Sequence, residues 1–393
     1  MKPPLHRNIP TLFVFTFFSE SFFIVPVLIP FFQANHLSTM EIMIVQSVFH
    51  CVVLLWEIPS GYIADVIGRK KSLLLGAIFF TTGLCIYAFS NRFLLFCAAE
   101  LVCGLGWGFR SGADSALLYD TLKQEKQESH YHHLEGKHQS WARSGSALAA
   151  IGGGLFALIS LRFPFYVNVG TGMLMIIAAL FLLEPERPGT ETHSAFRDIV
   201  RITKSSIADK NLRTFMLLGA LLRVTGTIGI WSYFLYYERA QIPVGFFGAL
   251  FCAFQLLSAL GGRFSSRLSR KFGEGRAWGI FLLIGISFVA LSFGRGIFFL
   301  PLILLNGFLW NFMTPIIYRE INHRTASSSR ATVLSVSSML GSASFAIVSP
   351  LFGKLVDATS LAAGHLFLGL IVLSCGIPLV FIIRSISHHE HRG

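Results

Sequence analysis

The sequence GYIADVIGRKK, residues 61–71, lies between two long apolar runs of the chain. It contains Asp65 and three consecutive cations, Arg69, Lys70 and Lys71, although only 13% of all residues are charged. If the flanking runs cross a membrane, these residues form the turn that joins two membrane helices, because adjacent cations are too costly to leave in hydrocarbon. The turn must then face water, and the excess of positive charge in cytoplasmic loops favours the cytoplasmic side.

Two glycines and an acid indicate how such a turn is built. Gly61 lacks a side chain, which lets the backbone approach a neighbouring helix, and Gly68 tolerates a positive φ just before the basic run. Asp65 lies four residues before Arg69, so their side chains share one face of a helix and can pair. A carboxylate at this place can also accept hydrogen bonds from a helix N-terminus.

The spacing Gly61-x-x-x-Asp65-x-x-Gly68-Arg69-Lys70 resembles the signature loop between helices 2 and 3 of the major facilitator superfamily. The loop also falls between the second and third apolar runs, as in that family, and the resemblance extends over essentially the whole chain. It implies an all-α integral membrane protein with twelve transmembrane helices in two pseudo-symmetric six-helix bundles. It also implies that two acids near the cytoplasmic ends of helices 2 and 4 pair with the basic turn and help to hold the halves together: Glu57 and Asp120.

Composition independently predicts membrane helices. Hydrophobic residues make up 53% of the 393 residues, and the mean hydropathy of +0.63 is above that expected of a soluble domain. The apolar runs are about 18–25 residues long, enough to cross a hydrocarbon core of about 30 Å, and they lack the alternation of a β-barrel. Twelve spans are predicted, at about 9–32, 40–63, 72–90, 94–119, 139–159, 165–183, 212–236, 244–266, 276–293, 298–318, 331–352 and 363–384.

The predicted spans form two groups of six. We expect an N-terminal bundle over residues 1–183, a cytoplasmic linker over 184–210 and a C-terminal bundle over 211–393. The halves resemble each other, since GSALAAIGGGLFAL from Gly145 aligns with GSASFAIVSPLFGKL from Gly341. Duplicated halves of this kind place a substrate near the membrane midplane. The second part of the linker alternates apolar and basic residues, which favours either an amphipathic helix on the inner leaflet or a solvated loop helix.

The net charge of +12 is best interpreted as a topology signal. With the N-terminus inside, most cations fall in cytoplasmic connections, and the outer connections contain only Arg92, Arg162, Arg239, Arg295 and Lys354. This asymmetry predicts a multi-pass protein of the cytoplasmic (inner) membrane with both termini in the cytoplasm. The basic residues are not gathered with aromatics on one helix face, so we expect no nucleic-acid partner.

Other chemistries find little support in the sequence. The six cysteines lie in apolar runs without a CxxC pair, which favours small buried side chains over disulfides or zinc ligands. His130, His132, His133 and His138 cluster after helix 4, and we interpret them as residues of an exposed polar loop rather than a metal site. Motifs for nucleotide binding, zinc proteolysis and nucleophilic hydrolysis are absent. We therefore expect no enzyme, no cofactor and no metal.

Ionisable residues inside the spans are the candidates for function, because charge in a bilayer is costly. Glu20 lies near the middle of helix 1 among phenylalanines and is a candidate proton carrier; the alternative is a carboxylate permanently paired with an arginine of the bundle. Arg223 lies near the middle of helix 7, about opposite Glu20 in the alignment of the halves. Its guanidinium can hold a substrate carboxylate or phosphate, or pair with Glu20. We hypothesise a Glu20–Arg223 bridge that opens when substrate or a proton arrives.

Three further candidates lie on helix 4. Arg110 and Asp114 are four residues apart, so on a continuous helix they share a face and can pair, in a structural, gating or substrate-binding role. Glu100 stands where many members of the resembled family carry an arginine, so the proton-coupling role of that arginine cannot be transferred. On helix 5, residues 151–154 read IGGG and lack the proline of drug/proton antiporters. This weakens a drug-efflux interpretation.

These observations favour a secondary active transporter that works by alternating access. The expected substrate is a small organic solute, anionic or zwitterionic because of Arg110 and Arg223, and coupled to protons through Glu20. One alternative is a multidrug efflux proton antiporter of amphipathic compounds, favoured by the phenylalanine content. An alternative from a different class is a non-transporting membrane receptor or a membrane-embedded enzyme, for which the loops are too short. The expected partners are the solute, protons and the lipid bilayer, and we expect a monomer.

Overall fold

The computed structural model describes residues 5–186, 195–272, 274–326 and 329–390. In this part of the chain the regular structure is helical, without a strand. Short 3₁₀ turns alternate with fifteen α-helices: α1 (Asn8–Ser19), α2 (Leu28–Ala34), α3 (Thr39–Ile67), α4 (Arg69–Phe89), α5 (Phe93–Arg110), α6 (Ala113–Gln124), α7 (Tyr131–Ala157), α8 (Phe163–Phe181), α9 (Ala195–Ala208), α10 (Lys210–Arg239), α11 (Phe247–Phe272), α12 (Glu274–Ser292), α13 (Leu300–His323), α14 (Arg330–Ala358) and α15 (Leu361–Glu390).

The helices confirm the prediction of an all-α membrane protein. Among the described residues, nine helical segments are long and apolar enough to cross a membrane, and two shorter apolar segments, Val25–Ala34 and Trp278–Ser292, add to them. Each of the twelve predicted spans overlaps at least one α-helix. The chain is therefore a multi-pass membrane protein.

The first predicted span is built from two helices rather than one. α1 and α2 are separated by residues 20–27, where Pro26 lacks an N–H and fixes its own φ. Asn168 of α8 compensates for the interrupted hydrogen bonding. Its Oδ1 accepts from the Ile24 N–H at 3.1 Å, and its Nδ2 donates to the Ser21 carbonyl at 2.6 Å. Glu20 thus lies at a break in the helix, where its side chain is directed by neighbours from other helices.

The chain divides into two compact units, which are described separately. The first unit comprises Met1–Leu37, Val48–Glu191 and Pro243–Ala249, and the second comprises Ser38–Ser47, Thr192–Ile242 and Leu250–Gly393. In the first unit, four helices (α1, α4, α6 and α8) pack around an apolar core that includes Phe15, Leu73, Leu117 and Ala179. The expected division into bundles over residues 1–183 and 211–393 stays a prediction.

The expected linker contains a helix, as its sequence pattern predicted. α9 lies within residues 184–210 and packs against α10 and α14 in the second unit. The beginning of the linker, residues 187–194, lies outside the described residues. Whether α9 lies on the membrane surface stays a prediction.

Close packing of α4 on α5 places the end of α5 in the first unit. Gly106 faces α4 so closely that an added Cβ would lie 2.6 Å from the Phe80 nitrogen and 2.8 Å from the Gly76 oxygen. Small residues permit such backbone contact between membrane helices. The close packing at Gly106 fixes the position from which Arg110 extends.

Candidate functional site

A carboxylate–guanidinium pair lies in the first unit, at the end of α1. Arg110, the last residue of α5, donates from Nη1 to Glu20 Oε1 at 2.6 Å and to Ser19 Oγ at 2.7 Å. Its guanidinium also lies 4.3 Å from the centre of the Trp107 ring. The side chains of Arg110 and Glu20 are 11% and 25% exposed, so water screens the pair only partly. Removing either partner would leave the other charge partly desolvated, which is costly.

The predicted pairing of Arg110 with Asp114 is wrong, because the fourth span is not one continuous helix. α5 ends at Arg110, and Gly112, with a φ of +76°, precedes the new helix α6. Asp114 lies in the first turn of α6, where its Oδ1 accepts from the Ser115 N–H at 2.8 Å. An acid at this end of a helix interacts favourably with the helix dipole. Of the two interpretations of Glu20, the first unit shows the pairing with an arginine of its own bundle.

A small cavity adjoins the Glu20–Arg110 pair. Its volume is about 10 Å³, which accommodates about one water molecule and no organic solute. Its lining comes from α1, the break after it, α4, α5 and α8: Ser19, Phe22, Gly76, Phe80, Gly106, Trp107, Arg110 and Met175. The surroundings of Arg110 in the first unit therefore suit a proton or water better than a substrate.

A larger cavity lies in the second unit, between α10, α13 and α14. Its volume is about 240 Å³. The half-buried Arg223 faces it, and the described part of the chain offers its guanidinium no hydrogen bond or ion pair. The other lining residues are Gly219, Leu222, Thr227, Trp310, Asn311, Thr314, Ile317, Tyr318, Ile321 and Ser337. Glu20 belongs to the other unit, so the hypothesised Glu20–Arg223 bridge stays a prediction.

Two close approaches hold the Arg223 cavity in shape. A Cβ on Gly341 of α14 would collide with Arg223 Cδ, so this glycine makes room for the arginine stem. A Cβ on Gly226 of α10 would collide with the Trp310 ring, whose Nε1 donates to the Leu222 carbonyl at 3.1 Å. The Trp310 indole is therefore held against α10 at Gly226, about one helical turn after Arg223.

The basic turn of the first unit contains the ion pair that its spacing predicted. Arg69 Nη2 lies 2.9 Å from Asp65 Oδ1, one helical turn away across the α3–α4 junction. Arg69 Nε lies 3.7 Å from Asp120 Oδ2 of α6, so the expected partnership of Asp120 with the basic turn is also present. These contacts join three helices, and a conformational role for them stays a prediction.

Glu184, which sequence reasoning missed, caps the N-terminus of α4. Its two carboxylate oxygens accept from the Arg69 N–H at 2.8 Å and from the Lys70 N–H at 2.7 Å. The Lys70 ammonium donates to the Leu180 carbonyl at 3.0 Å, which ties the turn to the end of α8. Gly68, with a φ of +109°, leaves space for the carboxylate, since an added Cβ would lie 2.8 Å from Glu184 Cδ.

The close approach expected at Gly61 is not seen among the described residues. α3 continues through this residue to Ile67, and a Cβ on Gly61 would meet no described atom within 4 Å. The turn therefore consists of Gly68 alone, and a conformational role for Gly61 stays a prediction. Glu57 lies at the end of the apolar part of α3, and its expected role in conformational change stays a prediction.

A comparison with protein families shows to which family the chain belongs. The model of the Major Facilitator Superfamily matches residues 11–286. The chain belongs to the major facilitator superfamily. The family is one of transporters rather than enzymes.

This facilitator protein matches one relative named as a transporter and two named for drug or quinolone resistance. It is 30% identical over 128 residues to the MFS-type transporter ppz2 of Metarhizium majus, covering 33% of this chain and 22% of the relative. It is 23% identical over 191 residues to multidrug resistance protein 2 of Bacillus subtilis, covering 47% and 46%. It is 22% identical over 249 residues to the quinolone resistance protein NorA of Staphylococcus aureus, covering 61% and 63%. The chain thus spans less than two thirds of the length of these curated relatives.

Solved structures of transporters share the fold of this facilitator protein. The nucleoside transporter NupG superposes with a TM-score of 0.78 at 14% identity, covering 98% of this chain and 99% of NupG. A POT family transporter in complex with 5-aminolevulinic acid superposes with a TM-score of 0.74 at 13% identity, covering 97% and 96%. Identities this low establish the fold alone.

Glu100 is buried away from both cavities. The carboxylate accepts a hydrogen bond from the Tyr87 hydroxyl at 2.6 Å, and the residue is 8% exposed. It contributes to the lining of neither the Arg110 cavity nor the Arg223 cavity. Its contact joins α4 to α5, and a role in substrate or proton binding stays a prediction.

The interpretation of His138 as part of an exposed loop is wrong. The residue lies on α7, is 1% exposed and contacts Thr16 of α1, whereas His130, His132 and His133 are exposed as expected. A 3₁₀ turn leads directly into α7 here, so the histidines lie on helical faces, and only His138 lies on the face toward α1. The described residues contain no group of three His, Cys, Asp or Glu side chains placed to hold a metal.

Proposed function

We propose that this protein is a proton-coupled secondary transporter of the cytoplasmic membrane that moves a small anionic organic solute by alternating access. The observation that carries the proposal is the guanidinium of Arg223. It faces a cavity of about 240 Å³ and has no polar partner among the described residues. A partly desolvated cation without a counter-charge is costly, so the cavity gains most from a ligand that brings a negative charge.

The lining of the Arg223 cavity also favours particular ligands. A carboxylate or phosphate group can accept two parallel hydrogen bonds from one guanidinium. The remaining polar groups among the described lining residues are hydroxyls, an amide and an indole, with no acid to hold an ammonium group. This composition favours a simple anion over a zwitterion. The volume is below the roughly 300–1,000 Å³ typical of pockets for drug-sized ligands, which favours a small solute.

Glu20 is the proposed site of proton coupling. Its carboxylate is held by Arg110, and protonation would remove the negative charge that the guanidinium contacts. A bistable pair of this kind can alternate with the binding of solute elsewhere in the protein. The charge asymmetry of the connections supports an orientation with both termini in the cytoplasm. All groups of this proposal come from one chain, and we propose that it works as a monomer.

Efflux of amphipathic drugs is the second candidate. Two of the relatives are named for resistance to drugs or quinolones, and phenylalanine accounts for 39 residues of this chain. Under this alternative, apolar contacts would provide most of the binding energy, and the charge of Arg223 would matter little.

A thermal-shift screen of the purified protein in lipid nanodiscs distinguishes the two candidates. Panels of small carboxylates, small phosphates, neutral metabolites and amphipathic drugs would be tested on wild type, Arg223→Ala and Arg223→Lys, with Arg143→Ala on the exposed face of α7 as the control. Loss of a charged hydrogen bond costs about 1.5–3 kcal/mol, so we expect Arg223→Ala to bind an anionic hit at least about tenfold more weakly. Arg223→Lys should retain part of the affinity, and Arg143→Ala all of it. Equal binding of anions by Arg223→Ala, or hits among the drugs alone, would contradict the proposal.

A further inference from the structure

Both ring nitrogens of His138 face polar groups in the first unit. Nε2 lies 2.5 Å from Thr16 Oγ1 of α1, and Nδ1 lies 3.6 Å from Glu135 Oε1, one turn back on α7. The ring is 1% exposed. In the described part of the chain, Nδ1 and the second carboxylate oxygen of Glu135 are buried without a hydrogen-bond partner. Buried polar atoms without partners are rare in folded proteins, so this pair requires an explanation.

The protons on the imidazole determine whether the arrangement is favourable. Without a proton on Nδ1, its lone pair would face the Glu135 carboxylate, and two acceptors would repel each other. With one ring proton on Nδ1, Nε2 accepts a hydrogen bond from the Thr16 hydroxyl. With a second ring proton, Nε2 donates to Thr16 Oγ1, whose own hydrogen can turn to a carbonyl of the preceding helical turn. The same heavy-atom geometry therefore accommodates both the neutral ring and the imidazolium.

We propose that His138 is a proton-binding site of this transporter, in addition to Glu20, and that one turn of α1 couples the two. The inference rests on the proposed proton-coupled function. The Glu135 side chain is 21% exposed, and its Oε1 accepts from Nε2 of the exposed Gln139 at 2.9 Å, which places the pair at the edge of the buried region. On protonation, an O–H bond of a hydronium ion breaks, the second ring N–H bond forms, and the ring gains one positive charge.

The coupling path consists of contacts within the first unit. The Thr16 carbonyl accepts from the Glu20 N–H at 3.1 Å and from Ser19 Oγ at 3.0 Å. Ser19 Oγ in turn accepts from Arg110 Nη1, which also contacts the Glu20 carboxylate. A change of hydrogen-bond direction at Thr16 therefore acts on the helical turn that ends at the Glu20–Arg110 pair.

The Glu135 carboxylate is a charged group in contact with the His138 ring. Glu135 lies on the same helix, and α1 contributes the neutral hydroxyl of Thr16. From α6, Asp114 acts on the same region: burial, followed by the carboxylates of Glu135 and Asp114, raises the pKa of the nearby Tyr131 phenol. The Glu135 carboxylate, 3.6 Å from Nδ1, is thus the negative charge in contact with the ring.

Nuclear magnetic resonance of ring-labelled histidine tests this site directly. Protein labelled with carbon-13 at histidine Cε1 would be titrated in nanodiscs, and the signal absent from His138→Gln would be assigned to His138. We expect this signal to change with pH between about 5 and 8, the range in which histidine titrates. In Glu135→Gln the change should require more acidic conditions, and in Glu20→Gln the pH of the change should also move. His133→Gln, an exposed neighbour on α7, should leave the His138 signal unaltered.

A His138 signal that does not respond to pH in this range would show that the residue only joins α7 to α1, and would overturn the inference. An unaltered titration in Glu20→Gln would overturn the coupling through α1. Should His138→Gln fail to fold, replacing the other histidines one at a time assigns the signal by elimination. The titration needs no solute, so its outcome is independent of whether Arg223 binds an anion.

Discussion

At the scale of single residues, Arg110 and Arg223 differ in what their guanidinium groups contact. Arg110 donates to Glu20 and Ser19 within the first unit, whereas Arg223 faces a cavity in the second unit. Protonation of the Glu20 carboxylate would change its contact with Arg110. The Arg223 guanidinium, which has no polar partner among the described residues, can bind an anion. The two arginines therefore suit the two ligands of the proposed transport cycle.

The candidate residues could be predicted from the sequence, but their partners could not. Glu20, Arg110 and Arg223 stand out because charges are rare in apolar runs. The predicted Arg110–Asp114 pair failed because a four-residue spacing means a shared face only on a continuous helix. Gly112 is visible in the sequence, but its spacing does not reveal that it takes a positive φ and ends α5.

At the scale of elements, two glycines with positive φ precede helices in different surroundings. A Cβ on Gly112 would meet no atom within 4 Å, whereas a Cβ on Gly68 would approach the Glu184 carboxylate. Both positions strain an L-residue, but only Gly68 also leaves room for the group that caps the following helix. A side chain at Gly68 therefore has two costs, backbone strain and loss of the cap, whereas a side chain at Gly112 has the backbone strain alone.

We predict that Gly68→Ala destabilises the protein more than Gly112→Ala. Gly112 is in the left-handed α region, which costs an L-residue about 1–2 kcal/mol, whereas Gly68, with φ +109° and ψ 149°, is in a region that is essentially restricted to glycine. Gly68→Ala should lose about 1 kcal/mol more, because Glu184 can no longer accept from the Arg69 and Lys70 amides. The melting temperature in mild detergent measures the stability of both variants. Glu184→Gln, measured in the same way, weakens the cap without changing the backbone at Gly68. Equal losses in the two alanine variants would show that the cap contributes nothing.

The break between α1 and α2 could be predicted from the sequence, but the residue that stabilises it could not. Pro26 is a visible reason for the helix to stop, and it could have been used to divide the predicted span 9–32. The group that makes the break tolerable could not be predicted, because Asn168 is 144 positions from the Ile24 amide it accepts from. The sequence gives one sign of this role, because Asn168 is the single asparagine in the mostly apolar span 165–183. Glu184 escaped prediction for the same reason, since its partners lie 114 and 115 positions away.

At the scale of the whole molecule, the all-α membrane fold followed from the apolar runs. Hydropathy reports which segments can lie in lipid, and that property is local. The composition of the two compact units is not local: Ser38–Ser47 belongs to the second unit and Pro243–Ala249 to the first. These assignments depend on packing between segments distant in the chain, which periodicity does not encode.

We predict that the connection before α7 faces the cytoplasm and that the connection between α14 and α15 faces outward. Single cysteines would be placed at the exposed Ser129 and Ser360, in a background without the six native cysteines. In intact cells, Ser360→Cys should react with an impermeant maleimide and Ser129→Cys should react only after the membrane is permeabilised. The opposite pattern would reverse the orientation. Ser328, in another connection expected inside, lies outside the described residues.

Accumulation driven by a pH gradient tests the central claim of proton-coupled transport through Glu20 most directly. Wild type, Glu20→Gln and the exposed control Glu128→Gln would be reconstituted in proteoliposomes with the anionic solute identified by the thermal-shift screen. Because a glutamine cannot release a proton, Glu20→Gln should bind the solute with little dependence on pH and should not accumulate it against its gradient. Wild type and Glu128→Gln should accumulate it. Full gradient-driven accumulation by Glu20→Gln would contradict the account and leave the Glu20–Arg110 pair with a structural role only.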